Sequence, residues 1–296
     1  MPHERDPKTP RPRPGDRADT PTGAENLPGR RRWLASWDLT TADYRVRMPG
    51  LPRELEGMRV VQISDPHLGR LVPASFLAAA VEHARRLEPD LVALTGDYVD
   101  AGTDFIAEAA RLLAPLRRGA VPVVAVLGNH DWYACGSTVR RALEDVGIPV
   151  IDNRRLFLDG RTRCLDASPR SRSALCLAGL GDLGEDRIDP AVALADLPEA
   201  MPRLVLAHNP DSAERPEVRQ GPRIDLLLSG HTHGGQVRLP IVGTPVTMSR
   251  HGSKYAGGFV RGPACPVIVS RGVGMTVVPV RWGVPPEVVR ITLNAA

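Results

Sequence analysis

Lysine is nearly absent from this chain, which has only Lys8 and Lys254 among its 38 basic residues. The formal net charge is +4, and residues 1–37 contribute most of it with eight basic and five acidic side chains. The rest of the chain is nearly neutral, and its arginines are spread along it. Proteins that bind nucleic acid usually carry a basic stripe or face. We therefore expect no nucleic-acid partner.

Cysteine is also scarce. The four cysteines, Cys135, Cys164, Cys176 and Cys265, form no CxxC pair. A chain of 296 residues needs no disulfide to hold its core. We predict four reduced thiols in a cytoplasmic protein. The composition, with 42% hydrophobic and 24% charged residues, is that of a soluble globular protein without membrane-spanning segments.

The N-terminus has few side chains that could be buried. Residues 1–30 are rich in proline, arginine and acidic residues, which predicts a disordered tail. The next stretch, "RRRWLASW" (residues 30–37), is interpreted as a basic linker, but it also resembles the start of a twin-arginine export signal or a membrane-surface anchor. An export signal needs an apolar run at this point, whereas "DLTTADYRVRMPG" is polar.

These patterns divide the chain into a tail and linker at residues 1–37 and a folded domain at residues 38–296. We expect a monomer. Peripheral contact with the inner face of the membrane through residues 30–37 stays open as an alternative.

From residue 59 onward, short apolar runs alternate with stretches of helical period. The runs "RVVQIS", "LVALTG", "VPVVAVLG", "LCLAGLG", "RLVLAHNP" and "IDLLLSG" predict buried strands. The stretches "ASFLAAAVEHARRL" and "TDFIAEAARLLAPLRR" predict amphipathic helices between the first three strands. Strand and helix in alternation indicate an α/β fold. The last segment, from residue 265, predicts further strands that close a second sheet.

Polar side chains follow five of these strands. They are Asp65 and His67, Asp97 and Asp100, Asn129 to Asp131, His208, and His231 and His233. In an open α/β sheet the carboxyl ends of the strands line one crevice, so these groups should converge there. The side chains of residues two apart in an extended backbone point the same way. Asp65 with His67, and His231 with His233, should therefore each bind an ion from one side.

A lone histidine or aspartate at a strand end is usually a cap, but five of the eight histidines lie in these motifs. Carboxylates, imidazoles and an amide oxygen suit Zn, Mn or Fe rather than a thiolate-type ion. The donors are too many for one tetrahedral ion. Two ions about 3.5–4 Å apart would use them all and would clamp a phosphorus centre for in-line attack.

In this order, "DPH", "GDYVD", "GNHD", the isolated His208 and "GHTH" resemble the motifs of the calcineurin-like metallophosphoesterase superfamily. The resemblance covers about residues 45–295. "GHTHGGQVRLP" and the ending "SRGVGMTVVPVRWGVPPEVVRITL" are most similar to a bacterial branch of phosphodiesterases. That branch includes relatives that act on the pyrophosphate of lipid-linked UDP-sugars.

The resemblance implies a four-layer α/β/β/α sandwich of two mixed sheets flanked by helices. It also implies two divalent or mixed-valence ions of Mn, Zn or Fe, with a water or hydroxide between them as the nucleophile. The implied ligands are Asp65, His67 and His233 for one ion, Asn129, His208 and His231 for the other, and Asp97 as the bridge. His130 would protonate the leaving oxygen, with Asp131 or Asp100 holding its ring.

Two arginines of the related protein phosphatases, in "GDYVDRG" and "RGNHE", are missing, because Ala101 and Leu127 stand in their places. A guanidinium fork suits a phosphomonoester dianion more than a diester monoanion. We therefore predict a phosphodiesterase or pyrophosphatase that acts on a small phosphoester or a lipid-linked substrate. A phosphomonoesterase and a non-catalytic metal-binding scaffold are the alternatives.

Overall fold

The computed structural model describes residues 38–296, and the predictions for residues 1–37 lie outside them. Five strands form the first sheet: β1 (Thr40–Met48), β2 (Met58–Ile63), β3 (Leu91–Leu94), β4 (Val123–Ala125) and β12 (Glu287–Ala295). Their order is β1-β12-β2-β3-β4. β2, β3 and β4 are parallel, and β12 runs antiparallel to β2.

Seven strands form the second sheet: β5 (Arg155–Asp159), β6 (Leu165–Asp166), β7 (Ala174–Gly179), β8 (Arg203–Leu206), β9 (Leu226–Ser229), β10 (Gly258–Arg261) and β11 (Pro266–Val269). Their order is β10-β11-β9-β8-β7-β5-β6. The middle strands β7, β8, β9 and β11 are parallel, while β5, β6 and β10 pair antiparallel with their neighbours. Both sheets are therefore mixed, as predicted.

Helices lie outside the sheets. The first sheet is covered by α1 (Ala74–Arg86), α2 (Ile106–Leu113) and α3 (Asn129–Asp145), and the second by the short α4 (Pro190–Ala193) and α5 (Pro216–Arg219). The predicted helix at residues 103–118 is shorter than expected, because the α-helix ends at Leu113 and continues as a 3₁₀ helix with Pro115 in its first turn.

The strands of the first sheet are buried on both faces, which explains their unbroken apolar runs. Val60 and Ala93 belong to the core between the two sheets, together with Leu206 and Leu228 of the second sheet. The alternate residues, such as Val61, pack against the helices. Successive side chains of a strand point to opposite faces, so each strand supplies both cores.

The C-terminal segment was predicted to close the second sheet, and this is wrong for its last strand. β11 does join the second sheet, but β12 inserts between β1 and β2 of the first. β1, in the polar stretch after residue 37, was not predicted as a strand. It pairs in parallel with β12 over its whole length, from Thr40 opposite Glu287 to Met48 opposite Ala295. Such pairing between chain ends depends on contacts that no local pattern encodes.

The two sheets meet at the edge where β2 and β9 end. The side chain of Gln62 in β2 donates to the carbonyl of Ser229 in β9 at 2.9 Å. Beyond the strands, the amide of Val273 donates to the carbonyl of Ser64 at 2.9 Å. This contact brings the strand-end motifs of both sheets to one edge.

Candidate metal centre

The residues predicted to bind metal lie in tight turns just beyond the strand ends. β2 ends at Ile63 and β9 at Ser229. Five site residues have a left-handed backbone, with φ between 47° and 68°: Asp65, His67, Asp97, His231 and His233. The expectation of an extended backbone is therefore wrong, because the chain turns sharply as it leaves each sheet. Strained, non-glycine positions of this kind are concentrated at functional sites.

Glycines in the motifs allow loops to approach the site closely. A Cβ atom at Gly128 would overlap the carboxylate of Asp97, and one at Gly230 would overlap the side chains of Ser64 and Asp65. The glycines of "GNHD" and "GHTH" therefore leave room for the acidic side chains of neighbouring loops.

One group of donors comes from the end of β2 and the turn after β9. Nε2 of His233 lies 3.0 Å from Nε2 of His67 and 3.4 Å from Oδ1 of Asp65. All three side chains are buried. The ligand atoms of this group lie within 4.8 Å of one another, which is close enough to hold one ion.

A second group lies beside it. Nε2 of His208 is 3.2 Å from both Oδ1 of Asn129 and Nδ1 of His231. The other ring nitrogen of His208, Nδ1, donates to the carbonyl of Thr95 at 2.7 Å, which directs Nε2 toward the group. His231 and His233, only two residues apart, thus face different groups.

Asp97 lies between the two groups. Its Oδ2 is 3.3 Å from Nε2 of His67 and 3.1 Å from Nε2 of His208. Its Oδ1 accepts a hydrogen bond from the amide of His130 at 2.9 Å. One carboxylate oxygen is therefore close to both donor groups, which is the position a bridging ligand requires.

The charges at this site favour cations. Burial opposes protonation of His67, but the carboxylates of Asp100 and Asp97 outweigh it and raise its pKa to about 9. Burial also opposes ionisation of Asp97, yet the charge and hydrogen bond of His208 hold the pKa of that carboxyl well below its usual range. Burial, together with the charge of His208, lowers the pKa of His231 to about 3. The buried carboxylates thus draw positive charge into the site.

Asp131 supports the loops rather than the ring of His130. Its carboxylate accepts hydrogen bonds from the amides of Asp97 and Tyr98 at 2.8 Å and of Gly128 at 2.9 Å. These contacts fasten the loop after β3 to the loop after β4. Burial, together with the charge of Asp97, raises the pKa of Asp131 to about 7.

His130 lies at the partly exposed rim of the site. Its Nδ1 donates to the main-chain carbonyl of Asp100 at 2.5 Å, and the carboxylate of Asp100 is 3.7 Å away. Its ring stands edge-on to the ring of His67 with the centroids 4.6 Å apart. Of the two aspartates predicted to hold this ring, Asp100 is the one that reaches it.

Arg281 and Thr95 contact predicted ligands, although neither was predicted to belong to the site. Arg281 is buried, and its Nη2 lies 3.2 Å from Nδ1 of His233. Its Nε donates to the carbonyl of Gly274 at 2.9 Å. A single charge in the apolar stretch "MTVVPVRWGVPP" was the only sequence signal for Arg281. Thr95 acts through its carbonyl, which gives no sequence signal.

Comparison with known proteins identifies the family of this centre. The family model for calcineurin-like phosphoesterases matches residues 58–235, which include all of the strand-end motifs. The chain belongs to the calcineurin-like phosphoesterase family. This result confirms the resemblance seen in the sequence, including its prediction of a metal-dependent phosphoester hydrolase.

Relatives in this family point to its bacterial branch. The chain is 34% identical over 241 residues to phosphodiesterase YaeI of Escherichia coli (strain K12), covering 79% of this chain and 82% of YaeI. It is 29% identical over 269 residues to the metallophosphoesterase YkuE of Bacillus subtilis (strain 168), covering 90% of each. It is 28% identical over 242 residues to the UDP-2,3-diacylglucosamine pyrophosphatase LpxG of Chlamydia muridarum (strain MoPn / Nigg), covering 68% and 70%.

Within residues 38–296, no helix is long and apolar enough to cross a membrane.

Proposed function

We propose that this calcineurin-like phosphoesterase hydrolyses phosphodiester or pyrophosphate bonds at a dinuclear metal centre. The observation that carries the proposal is the position of Asp97 Oδ2, which lies within 3.3 Å of a histidine nitrogen from each donor group. Asp97 would bridge the two ions. Asp65, His67 and His233 would hold one ion, and Asn129, His208 and His231 the other.

The residues fit such ions. The donors are nitrogens and oxygens, no thiolate is among them, and five of the seven side chains are buried. This set suits Mn, Zn or Fe. When bound, two such cations would lower the pKa of a water molecule and offset charge on the phosphoryl oxygens.

The protein's own groups would position substrate and move protons. His130 stands at the rim, with Nδ1 held by the carbonyl of Asp100, so Nε2 is the nitrogen that can deliver a proton to a leaving oxygen. Asp131 would keep the loop of Asp97 and the loop of His130 at a fixed distance through its three amide contacts.

Two positions argue for a diester or pyrophosphate rather than a monoester. Ala101 is exposed and directly follows Asp100, whose carbonyl holds the ring of His130, and its methyl group cannot bind a phosphate oxygen. Leu127 is fully buried in the core between the first sheet and the helices, so that position offers no group to a substrate. The relatives described as a phosphodiesterase and a pyrophosphatase support this choice. A monoesterase is the alternative.

The name of LpxG also supports a lipid-linked substrate. Such a substrate would fit peripheral membrane contact through residues 30–37, where Trp33 and Trp37 follow three arginines.

We expect Ala101→Arg to shift the preference toward monoesters. A charged hydrogen bond contributes about 1.5–3 kcal/mol, so the KM for a monoester should fall by roughly tenfold or more. The KM for the matched diester should change little. The measurement is kcat/KM for a nitrophenyl monoester and diester with the same metal loaded. Ala101→Gln, similar in length but uncharged, is the control, and a wild-type preference for the monoester would contradict the proposal.

A further inference from the structure

Two loops next to the metal centre are joined into one surface. They comprise residues 236–248 and residues 276–282. The side chain of Gln236 donates to the carbonyl of Thr276 at 2.9 Å and accepts from its amide at 3.0 Å. The amide of Trp282 donates to the carbonyl of Gln236 at 2.8 Å, and that of Arg238 to the carbonyl of Trp282 at 2.7 Å. We refer to them together as the paired loops.

The paired loops expose an unusual amount of apolar side chain. Among residues 38–296, eleven large hydrophobic side chains are exposed, and eight of them lie on these loops: Leu239, Ile241, Val242, Val246, Met248, Val277, Val278 and Trp282. Ile241 is fully exposed, at 108% of its reference area, and Val277 is 71% exposed. Contiguous apolar surface of this kind in a water-facing protein marks an interaction site.

The backbone is left-handed at both loop tips, a conformation that does not favour the apolar residues found there. Ile241 has φ 69° and Val277 has φ 63°. β-branched residues rarely adopt this conformation, which glycine, asparagine and aspartate tolerate far better. A turn that only had to face water would be more stable with one of those residues. Apolar side chains at these strained, exposed tips therefore point to a partner outside the chain.

The charge of this region indicates what that partner is. No aspartate or glutamate occurs in residues 226–286, which contain six basic residues: Arg238, Arg250, Lys254, Arg261, Arg271 and Arg281. Lys254 and Arg271 pair with Glu214 and Glu287 from outside the segment. Of the two basic residues on the paired loops, Arg238 is exposed and Arg281 is buried, and the loops carry no acidic side chain. Apolar tips beside an exposed arginine, on loops without acidic side chains, match an anionic lipid bilayer.

A cavity beside the paired loops borders the metal centre at His233. It has a volume of about 300 Å³, and its walls come from the paired loops, chiefly Pro245, Val246, Met248, Val277 and Val278. His233, a proposed metal ligand, also lines it. In addition, the hydroxyl of Thr276 donates to Asp100 at 3.0 Å. A group that enters this cavity from the apolar surface would lie directly beside the metal centre.

We propose that the paired loops dock this phosphoesterase onto anionic membranes, with Ile241 and its neighbours inserted at the lipid–water interface. Docking would place the metal centre next to phosphoesters whose apolar part stays in the bilayer, and the cavity would receive that part. The docking stands independently of the chemistry at the metal centre, whereas its link to a membrane substrate rests on the proposed function.

The test is co-sedimentation of the full chain with lipid vesicles. Wild type should bind vesicles of phosphatidylcholine and phosphatidylglycerol much more strongly than vesicles of phosphatidylcholine alone. Ile241→Asp should lower its partition coefficient on anionic vesicles by about tenfold or more, because an apolar anchor is lost and an acidic group is added. The matched control is Val192→Asp, at an exposed valine of α4 outside the paired loops, and it should bind like wild type.

Folding does not confound the test, because aspartate and asparagine tolerate the backbone of Ile241 better than isoleucine does. The melting temperature should not fall in Ile241→Asp or Ile241→Asn, and the asparagine variant should also lose vesicle binding.

The proposal would be overturned if wild type did not bind anionic vesicles. It would also be overturned if Ile241→Asp bound these vesicles as strongly as wild type, because docking would then belong to another segment such as residues 30–37. Self-association of wild type that is lost in Ile241→Asp, without vesicle binding, would assign the surface to a second copy of the chain. Sedimentation measures no turnover, so a failure to hydrolyse phosphoesters would count against the proposed function alone.

Discussion

Asp97→Asn should abolish measurable turnover and remove most of the bound metal. In wild type, Oδ2 of Asp97 lies 3.3 Å from His67 Nε2 and 3.1 Å from His208 Nε2. The substitution removes the negative charge and replaces one of the two carboxylate oxygens with an amide nitrogen, which cannot bind a cation. A neutral amide cannot offset the charge of two cations, so both ions should bind more weakly. Elemental analysis and the rate on a nitrophenyl diester measure the two effects.

Asp100→Asn is the matched control for this change. The carboxylate of Asp100 lies 3.5 Å from Nδ1 of His67, the ring nitrogen that faces away from the donor groups. The variant should therefore keep its metal, with at most a reduced rate. Equal metal content in wild type and Asp97→Asn would disprove the bridging role.

His130→Ala should keep both ions but slow the reaction by about 10²–10⁴-fold on an alkyl ester, because general acid catalysis typically contributes this much. His130 is held through Nδ1 by the carbonyl of Asp100, which leaves Nε2 to serve the leaving oxygen. A nitrophenolate leaves without a proton, so the loss on a nitrophenyl ester should be much smaller. The measurement is the ratio of the two rates in each protein.

His83→Ala is the control for this substitution. His83 lies on α1, and its Nε2 is 2.7 Å from the hydroxyl of Thr41, away from the donor groups. It should change neither rate beyond a general effect on stability. An equal loss on both esters in His130→Ala would mean that His130 does not donate the proton.

Short apolar runs separated by amphipathic helices predicted an α/β fold, and the resemblance to the calcineurin-like superfamily predicted the four-layer sandwich. The sequence did not predict β1, whose edge position leaves several side chains partly exposed, including Thr40 and Thr41. It also placed β12 in the wrong sheet. The position of β12 depends on its pairing with β1. In the first matched pair, Thr40 and Glu287 are 247 residues apart in the sequence. Local periodicity carries no information about a pairing at that separation.

The site was predictable as a set of residue types but not in its backbone detail. Polar residues after buried strands converge because the carboxyl ends of parallel strands meet at one edge. The left-handed turns at Asp65 and His231 could not be read from the sequence, since neither residue is a glycine. The role of Asp131 was also missed, because its carboxylate binds main-chain amides, which have no signature in the sequence.

The most direct test of this account is the metal content of the purified wild-type chain, measured by elemental analysis together with protein concentration. The positions of the two donor groups and of Asp97 between them predict about two Mn, Zn or Fe ions per chain. Removing the ions with a chelator should abolish diester hydrolysis, and adding them back should restore it. An active preparation with one ion per chain, or with none, would contradict a dinuclear centre.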